Sequence, residues 1–337
     1  MGRGSVTLAH GGGGKLSQEL VREVFLAHLR DAELARLNDA AEVLVESQRL
    51  AVSTDSFVVT PHRFPGGDIG SLAVYGTVND LAMMGARPVC MTAGFIVEEG
   101  FDLAALARVA ESMAEAAARA QVPVVAGDTK VVEHGSGDGV FINTTGLGEL
   151  LLGPAPAAEL ARPGDALILS GPVADHGMAV LMARNEFDFR ADIVSDCAPL
   201  WELVEALIES HVEVHVLRDP TRGGLATVLN EIASAAGAGM EVEEAAVPVS
   251  EAVRGACDML GLDPLYVANE GKLVACVPDS QAAAAVAALR EHDLGREAAV
   301  IGRVSSDPPA GRVILKTAVG GQRVLDLLSG DQLPRIC

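Results

Sequence analysis

An alternation that runs through this chain twice limits what it can fold into. In the first half, β-branched apolar runs trade places with helical segments. RLAVSTDSFVV, PVCMTAGFIV, VPVVAGDTKVV and GVFINTTGLGEL read as strands, and DIGSLAVYGTVNDLAMMGA and DLAALARVAESMAEAAARAQ as helices, the first capped by Asp68. A stretch rich in Pro, Gly and Ala, GPAPAAELARPGD, breaks the pattern. It then resumes, with DALILSG, EGKLVACV, EAAVIGRV and RVILKT as strands. VADHGMAVLMARN, APLWELVEALIES, the end of DPTRGGLATVLNEIASAAG, and SQAAAAVAALREH are the helices between them. A chain of 337 residues exceeds one ordinary core. We therefore expect an α/β protein with mixed (α+β) sheets in two domains, 1–155 and 156–328. The remainder, 329–337, reads as an irregular, mobile tail ending in LPRIC.

Charge and cysteine usage exclude whole classes of function. The formal net charge of −21 leaves no basic patch for a phosphate backbone, so no nucleic-acid partner is expected. The start, MGRGSVTLAHGGGG, lacks the apolar core of a signal peptide, and Val6 breaks the myristoylation pattern. No apolar run reaches the ~18 residues that span a bilayer, so no membrane association is expected. Cys90, Cys197, Cys257, Cys276 and Cys337 are scattered without CxxC or zinc spacing, which fits reduced thiols in the cytoplasm. Lysine is scarce: only Lys15, Lys130, Lys272 and Lys316 stand among 25 basic residues. In a chain drifting towards Arg, lysines persist where a compact or titratable ammonium is needed. Three of the four lie in GGGGK, GDTK and NEGK.

Those segments are where chemistry is expected. Asp55 in VSTDSF, Asp80 in TVNDLA and Asp128 in VAGDTK are hard oxygen donors on separate elements. Mg²⁺ with nucleotide phosphates takes few protein ligands of this kind. Alone, each is equally a capping or surface carboxylate; together, beside the lysine of GDTK, they favour a metal–phosphate site. Ala73, Gly76, Thr77 and Asp80 share one small, polar helix face. GGGGKLS is not a Walker A motif, because Ala9 and Leu16 stand where Gly and Ser or Thr are required. It is either a glycine loop able to close over phosphates or a loose terminal segment. RDPTRGG sets Asp219, Thr221 and Arg222 at a helix start, suited to an anion or simply to capping. NEGKL puts Glu270 at a strand mouth, as a base or a solvated charge.

In order and across essentially the whole chain, HGGGGK, DIGSLAVYGTVNDLAMMGARP, AGDTKVV, INTTGLGE, DPTRGGLATVLNEIA, NEGKL and the terminal PRIC resemble one family. It is the carbamoyl dehydratases of hydrogenase maturation, HypE, within the PurM-like (aminoimidazole ribonucleotide synthetase) ATP-binding superfamily. The resemblance implies a PurM-like two-domain fold and a homodimer built through the N-terminal sheets. It implies ATP with Mg²⁺ held by Asp55, Asp80, Asp128 and Asp219, with Lys15, Asn79, Gly127 and Arg222 also at the nucleotide. It implies that a carbamoyltransferase, HypF, loads Cys337, and that ATP drives dehydration of the carbamoyl group to a thiocyanate. Either Glu270 or Lys130 would act as base, and the cyano group would pass to a HypC–HypD iron carrier for the [NiFe] cofactor. Selenophosphate synthetases share the aspartates, but resemble chains with Cys or selenocysteine in the glycine loop, which reads AHGGGGK here. A thiol carrier without ATP chemistry is the other alternative.

Overall fold

Strand β2 (Gln48–Phe57) shows how the first domain is put together: Ala51, Ser53 and Phe57 are buried while Thr54 between them is exposed. A computed structural model describes residues 14–28, 33–46, 48–184, 192–328, 333 and 335–337. Helical turns α1 (Lys15–Leu20) and α2 (Leu26–His28) precede β1 (Ala41–Val45), which pairs antiparallel with β2. The short pair β3 (Arg63–Phe64) and β4 (Gly67–Asp68) leads into helix α3 (Ile69–Met83). β5 (Ala86–Glu98), α4 (Leu103–Arg119) and β6 (Val124–Val132) form a parallel crossover, and β7 (Val140–Leu150) returns between β2 and β5. The sheet order is β1-β2-β7-β5-β6, so β6 is an edge strand.

Helix α3 lies on this sheet with 14 of its 15 residues buried, Asp80 being the exception. Asp68 caps it as expected, accepting from the Gly70 and Ser71 amides at 2.8 and 2.9 Å. Its small face lets the backbones approach. The Thr144 hydroxyl donates to the Ala73 carbonyl at 3.0 Å, so the Thr77 hydroxyl donates to Thr144 at 2.5 Å.

The second domain begins with β8 (Asp165–Leu169), every residue of which is buried. Then come α5 (Asp175–Ala183), α6 (Trp201–Glu209), β9 (Val216–Arg218), α7 (Gly224–Ala236) and β10 (Gly239–Glu243). α8 (Glu251–Leu260), β11 (Val274–Pro278) and α9 (Ala282–Arg290) follow, then β12 (Ala299–Ser305), β13 (Val313–Lys316) and β14 (Gln322–Val324). The seven strands are ordered β14-β13-β10-β12-β8-β11-β9 and mix parallel and antiparallel pairs. Separate apolar layers cover its two faces. Leu225, Leu229 and Ile232 of α7 lie on one, and Leu203, Leu207 and Leu289 of α6 and α9 on the other. The sequence pattern did not reveal α1, α2, β1, β3, β4, β9, β10, β14 or α8. No helix among the described residues is long and apolar enough to cross a membrane.

Candidate functional site

Between the domains lies a polar cavity of about 230 Å³ lined by Asp39, Thr54, Asp55, Gly76, Asp80, Asp219, Thr221, Arg222, Glu270 and Cys337. Each element contributes for a local reason. β2 presents Asp55, and Asn143 on the neighbouring strand donates to the Asp55 carbonyl at 2.8 Å. The last turn of α3 presents Asp80, which accepts from the Ser53 hydroxyl at 2.5 Å. Gly76 sits one turn earlier, where a Cβ would come within 2.8 Å of the Phe57 ring. The turn after β9 presents Asp219, Thr221 and Arg222. Here the structure departs from the capping alternative: α7 starts at Gly224, with Gly223 as N-cap at φ 75° and no side-chain cap. Asp219 is therefore left for the cavity.

The NEGK segment is tied down more heavily than a solvated loop would be. Asn269 donates to the Pro220 carbonyl at 2.7 Å and accepts from Ala174 at 2.7 Å, joining the segment to the Asp219 turn. Asp196 accepts from the Glu270 amide (3.0 Å), the Gly271 amide (3.2 Å) and the Lys272 ammonium (3.1 Å). A Cβ on Gly271 would stand 1.8 Å from the Asp196 carbonyl, so only glycine fits. Glu270 is thereby held in the cavity wall, 3% exposed.

The electrostatics are lopsided. Burial pushes Asp219 up to about 7, reinforced by Asp39. Burial raises Asp39 to about 6 against the opposing Arg218 charge 2.8 Å away. Asp80 and Glu270 are pushed well above the usual carboxylate range, each by burial and then by Asp219. Asp55 is raised by burial and opposed by Arg222 at 3.8 Å. Arg222 is in turn held protonated, chiefly by negative charge on Cys337. Hard oxygen donors crowded at this density fit a divalent cation. Among the described residues no group of three or more His, Cys, Asp or Glu is preformed as a cage.

The chain's last residues are seated in this structure. Val58 donates its amide to the Cys337 carbonyl at 3.3 Å and Thr60 to the Arg335 carbonyl at 3.1 Å. Arg184 donates to the Arg335 carbonyl at 3.2 Å, and the Arg335 guanidinium pairs with Asp138. Arg335 turns the chain at φ 59°, and Ile336 beyond it is 4% exposed in the first domain's core. Leu333 packs against the same core.

Of the residues picked out by sequence, Asp55, Asp80, Asp219, Arg222, Glu270 and Cys337 are brought together. Asn79 is adjacent but buried: it donates to the Ala198 carbonyl at 3.0 Å and accepts from Leu200 at 2.8 Å, clamping α3 to the second domain. Asp128 and Lys130 pair with each other at 2.6 Å on exposed β6, away from the cavity of a single chain. Gly127 lines an apolar groove between β6 and α4. Lys15 is exposed beside Glu19, and Gly11–Gly13 of the glycine loop lie outside the described residues. Asp39, Ser53, His176 and Asp196 were missed. Asp39 and Asp196 sit in segments without periodicity, LNDAAEV and VSDCAPL, which give no signal. Asking what pairs with a surviving lysine at Lys272 is the one route that leads to Asp196.

Two domains meeting at an acid-lined cavity define the AIR synthase-related class. The model for the N-terminal domain of AIR synthase related proteins matches residues 37–150, and that for the C-terminal domain residues 162–314. Carbamoyl dehydratase HypE of Azotobacter vinelandii is 54% identical over 334 residues, covering 99% of this chain and 98% of that protein. A crystal structure of hydrogenase maturation protein HypE in complex with ATP superposes with TM-score 0.83 at 52% identity, over 99% of this chain and 100% of that one. A HypE–HypF complex gives TM-score 0.86 at 46% identity, over 92% and 99%. The chain belongs to the HypE carbamoyl dehydratases, enzymes of hydrogenase maturation in the PurM-like superfamily.

Proposed function

We propose that this chain dehydrates a carbamoyl group carried on its own Cys337 thiol to a thiocyanate, at the expense of ATP. The observation behind this reading is the seating of Cys337 in the acid-lined cavity beside Arg222 and Glu270. An amide oxygen is a poor leaving group. Transfer of a phosphoryl group to it lets the oxygen depart as phosphate while the nitrogen loses two protons, leaving S–C≡N. Arg222 stabilises the negative charge that develops at the thiol end of the cavity. Glu270, whose carboxyl burial holds well above the usual carboxylate range, stands in the cavity wall as the acceptor for a nitrogen proton. Asp55, Asp80 and Asp219 would hold Mg²⁺, which offsets phosphate charge when bound. At about 230 Å³ the cavity is smaller than the ~300–1,000 Å³ of pockets that enclose drug-sized ligands. It suits the reacting ends rather than a whole nucleotide.

The assembly follows from the same reading. The β6 edge, with Val125 and Val131 60% and 70% exposed, borders an apolar groove of about 740 Å³. A second copy covering it makes a homodimer through the N-terminal sheets, and would be the route by which Asp128 and Lys130 reach a cavity. HypF, the partner of the related complex, supplies the carbamoyl group, and a HypC–HypD iron carrier takes the cyano group. The test is intact-protein mass spectrometry of the chain with carbamoyl phosphate, ATP and HypF. Cyanation is expected on Cys337 only, lost in Cys337→Ala and stalled at the carbamoyl stage in Asp80→Asn. Product on Cys90, Cys197, Cys257 or Cys276, or full turnover in Asp80→Asn, refutes the proposal.

A further inference from the structure

His176, in the first turn of α5, is completely buried, and the chemistry above makes no use of it. Its Nε2 lies 3.0 Å from the Ile336 carbonyl oxygen, and its Nδ1 lies 2.8 Å from the Ser195 hydroxyl. A carbonyl can only accept, so Nε2 carries the proton. Burial holds the ring neutral, its pKa lowered despite the nearby Asp196 charge. Nδ1 is then bare and accepts from the Ser195 hydroxyl, whose oxygen accepts the Cys197 amide at 3.1 Å. The chain of bonds therefore has one direction, from Cys197 through Ser195 and His176 to the residue before Cys337. Between Ser195 and Cys197 stands Asp196, the carboxylate that holds the Glu270 and Gly271 amides and the Lys272 ammonium. The Ser195 amide itself is anchored to the Pro65 carbonyl at 2.8 Å. The thiol's seat and the Glu270 support are thus two ends of one short, buried segment.

The geometry points to His176 as a positioning residue for the last residue of the chain. Its Nε2–H grips the Ile336 carbonyl and registers Cys337 against Glu270 through Ser195–Cys197. This deepens the reading of Cys337 as the carrier and rests on it. The experiment can nevertheless separate the two, because tail seating is read without ATP or carbamoyl donor.

The probe is release of Cys337 and Ile336 from the 337-residue protein by carboxypeptidase Y, followed by mass spectrometry. In His176→Gln the side-chain amide keeps a donor near the Nε2 position, whereas in His176→Asn it reaches only as far as Nδ1. Losing one buried hydrogen bond should speed release about fivefold in His176→Asn, while His176→Gln stays within about twofold of wild type. Dehydration should follow: kcat falls in His176→Asn with KM for ATP unchanged, and His176→Gln restores it. Equal release from both variants, or no change in either, overturns the proposal. If His176→Asn does not fold, nitrogen-15 spectra of the histidines in wild-type protein decide. An Nε2–H tautomer whose signal shifts when Ile336 and Cys337 are removed supports the inference, and an Nδ1–H tautomer or an unmoved signal overturns it.

Discussion

Replacing Asp219 with asparagine should make the ligand-free protein more stable and less useful. Asp219 is 8% exposed, and burial with Asp39 nearby raises its pKa from 3.8 to about 7. The folded protein therefore keeps a proton that the unfolded chain releases. Between those two values the native state binds more protons, so the free energy of unfolding falls as pH rises. The stability linked to this group is fully present below pH 3.8 and is lost as pH climbs through 7. Each pH unit of displacement is worth about 1.4 kcal/mol, so at pH 8 an ionised Asp219 destabilises the empty cavity by on the order of 4 kcal/mol. The Asp219→Asn side chain has the same shape and no proton to lose. It also removes the repulsion that Asp219 exerts on Asp80 and Glu270. Urea unfolding of both proteins from pH 4 to pH 8 should give equal stability at the acid end. A gap of a few kcal/mol in favour of Asp219→Asn should open towards pH 8, and Mg²⁺ should narrow it by stabilising the wild type. A pH-independent difference, or a less stable variant at pH 8, would show that the carboxylates are not in conflict. Turnover should be lost throughout, a carboxylate kept at the expense of stability.

Three other perturbations test the frame around the cavity. Gly76→Ala sets a methyl against the Phe57 ring, which is 1% exposed. About 1–3 kcal/mol of overpacking should outweigh the ~1 kcal/mol gain in helix propensity and lower the unfolding midpoint; a stabilised variant would refute this packing. Lys272→Met leaves Asp196 buried with only amides for company, and should cost about 3–5 kcal/mol in urea unfolding along with most of the activity. A glycine appended after Cys337 should block dehydration while leaving ATP binding, read by calorimetry, unchanged; normal cyanation of the longer chain would contradict a seat built for the last residue.

Much of this was legible in the sequence, and the reason is period. β2, β7 and α4 of the first domain show themselves because their burial follows a regular spacing. Asp55 and Asp80 stand out because they interrupt such patterns. β9, at three residues, is too short for a period to register, and β1 is half exposed on the sheet's edge. The site's supports were hidden for a different reason. Asp196 and Ser195 lie in a segment with no secondary structure, and their roles depend on partners 74 and 19 residues away in the chain. His176 looks like any residue on an apolar helix until the end of the chain is folded against it. Asp128 was picked out as an oxygen donor and Lys130 by the scarcity of lysine, and neither signal says which side of a sheet edge they occupy.

The seating of residues 335–337 also sets the terms on which any other ligand enters the cavity. Whatever is to occupy the thiol end of the cavity meets a tethered occupant already hydrogen-bonded to Val58, Thr60 and His176. A rival ligand binds only during the fraction of time the end is out, so its apparent dissociation constant is the intrinsic one divided by that fraction.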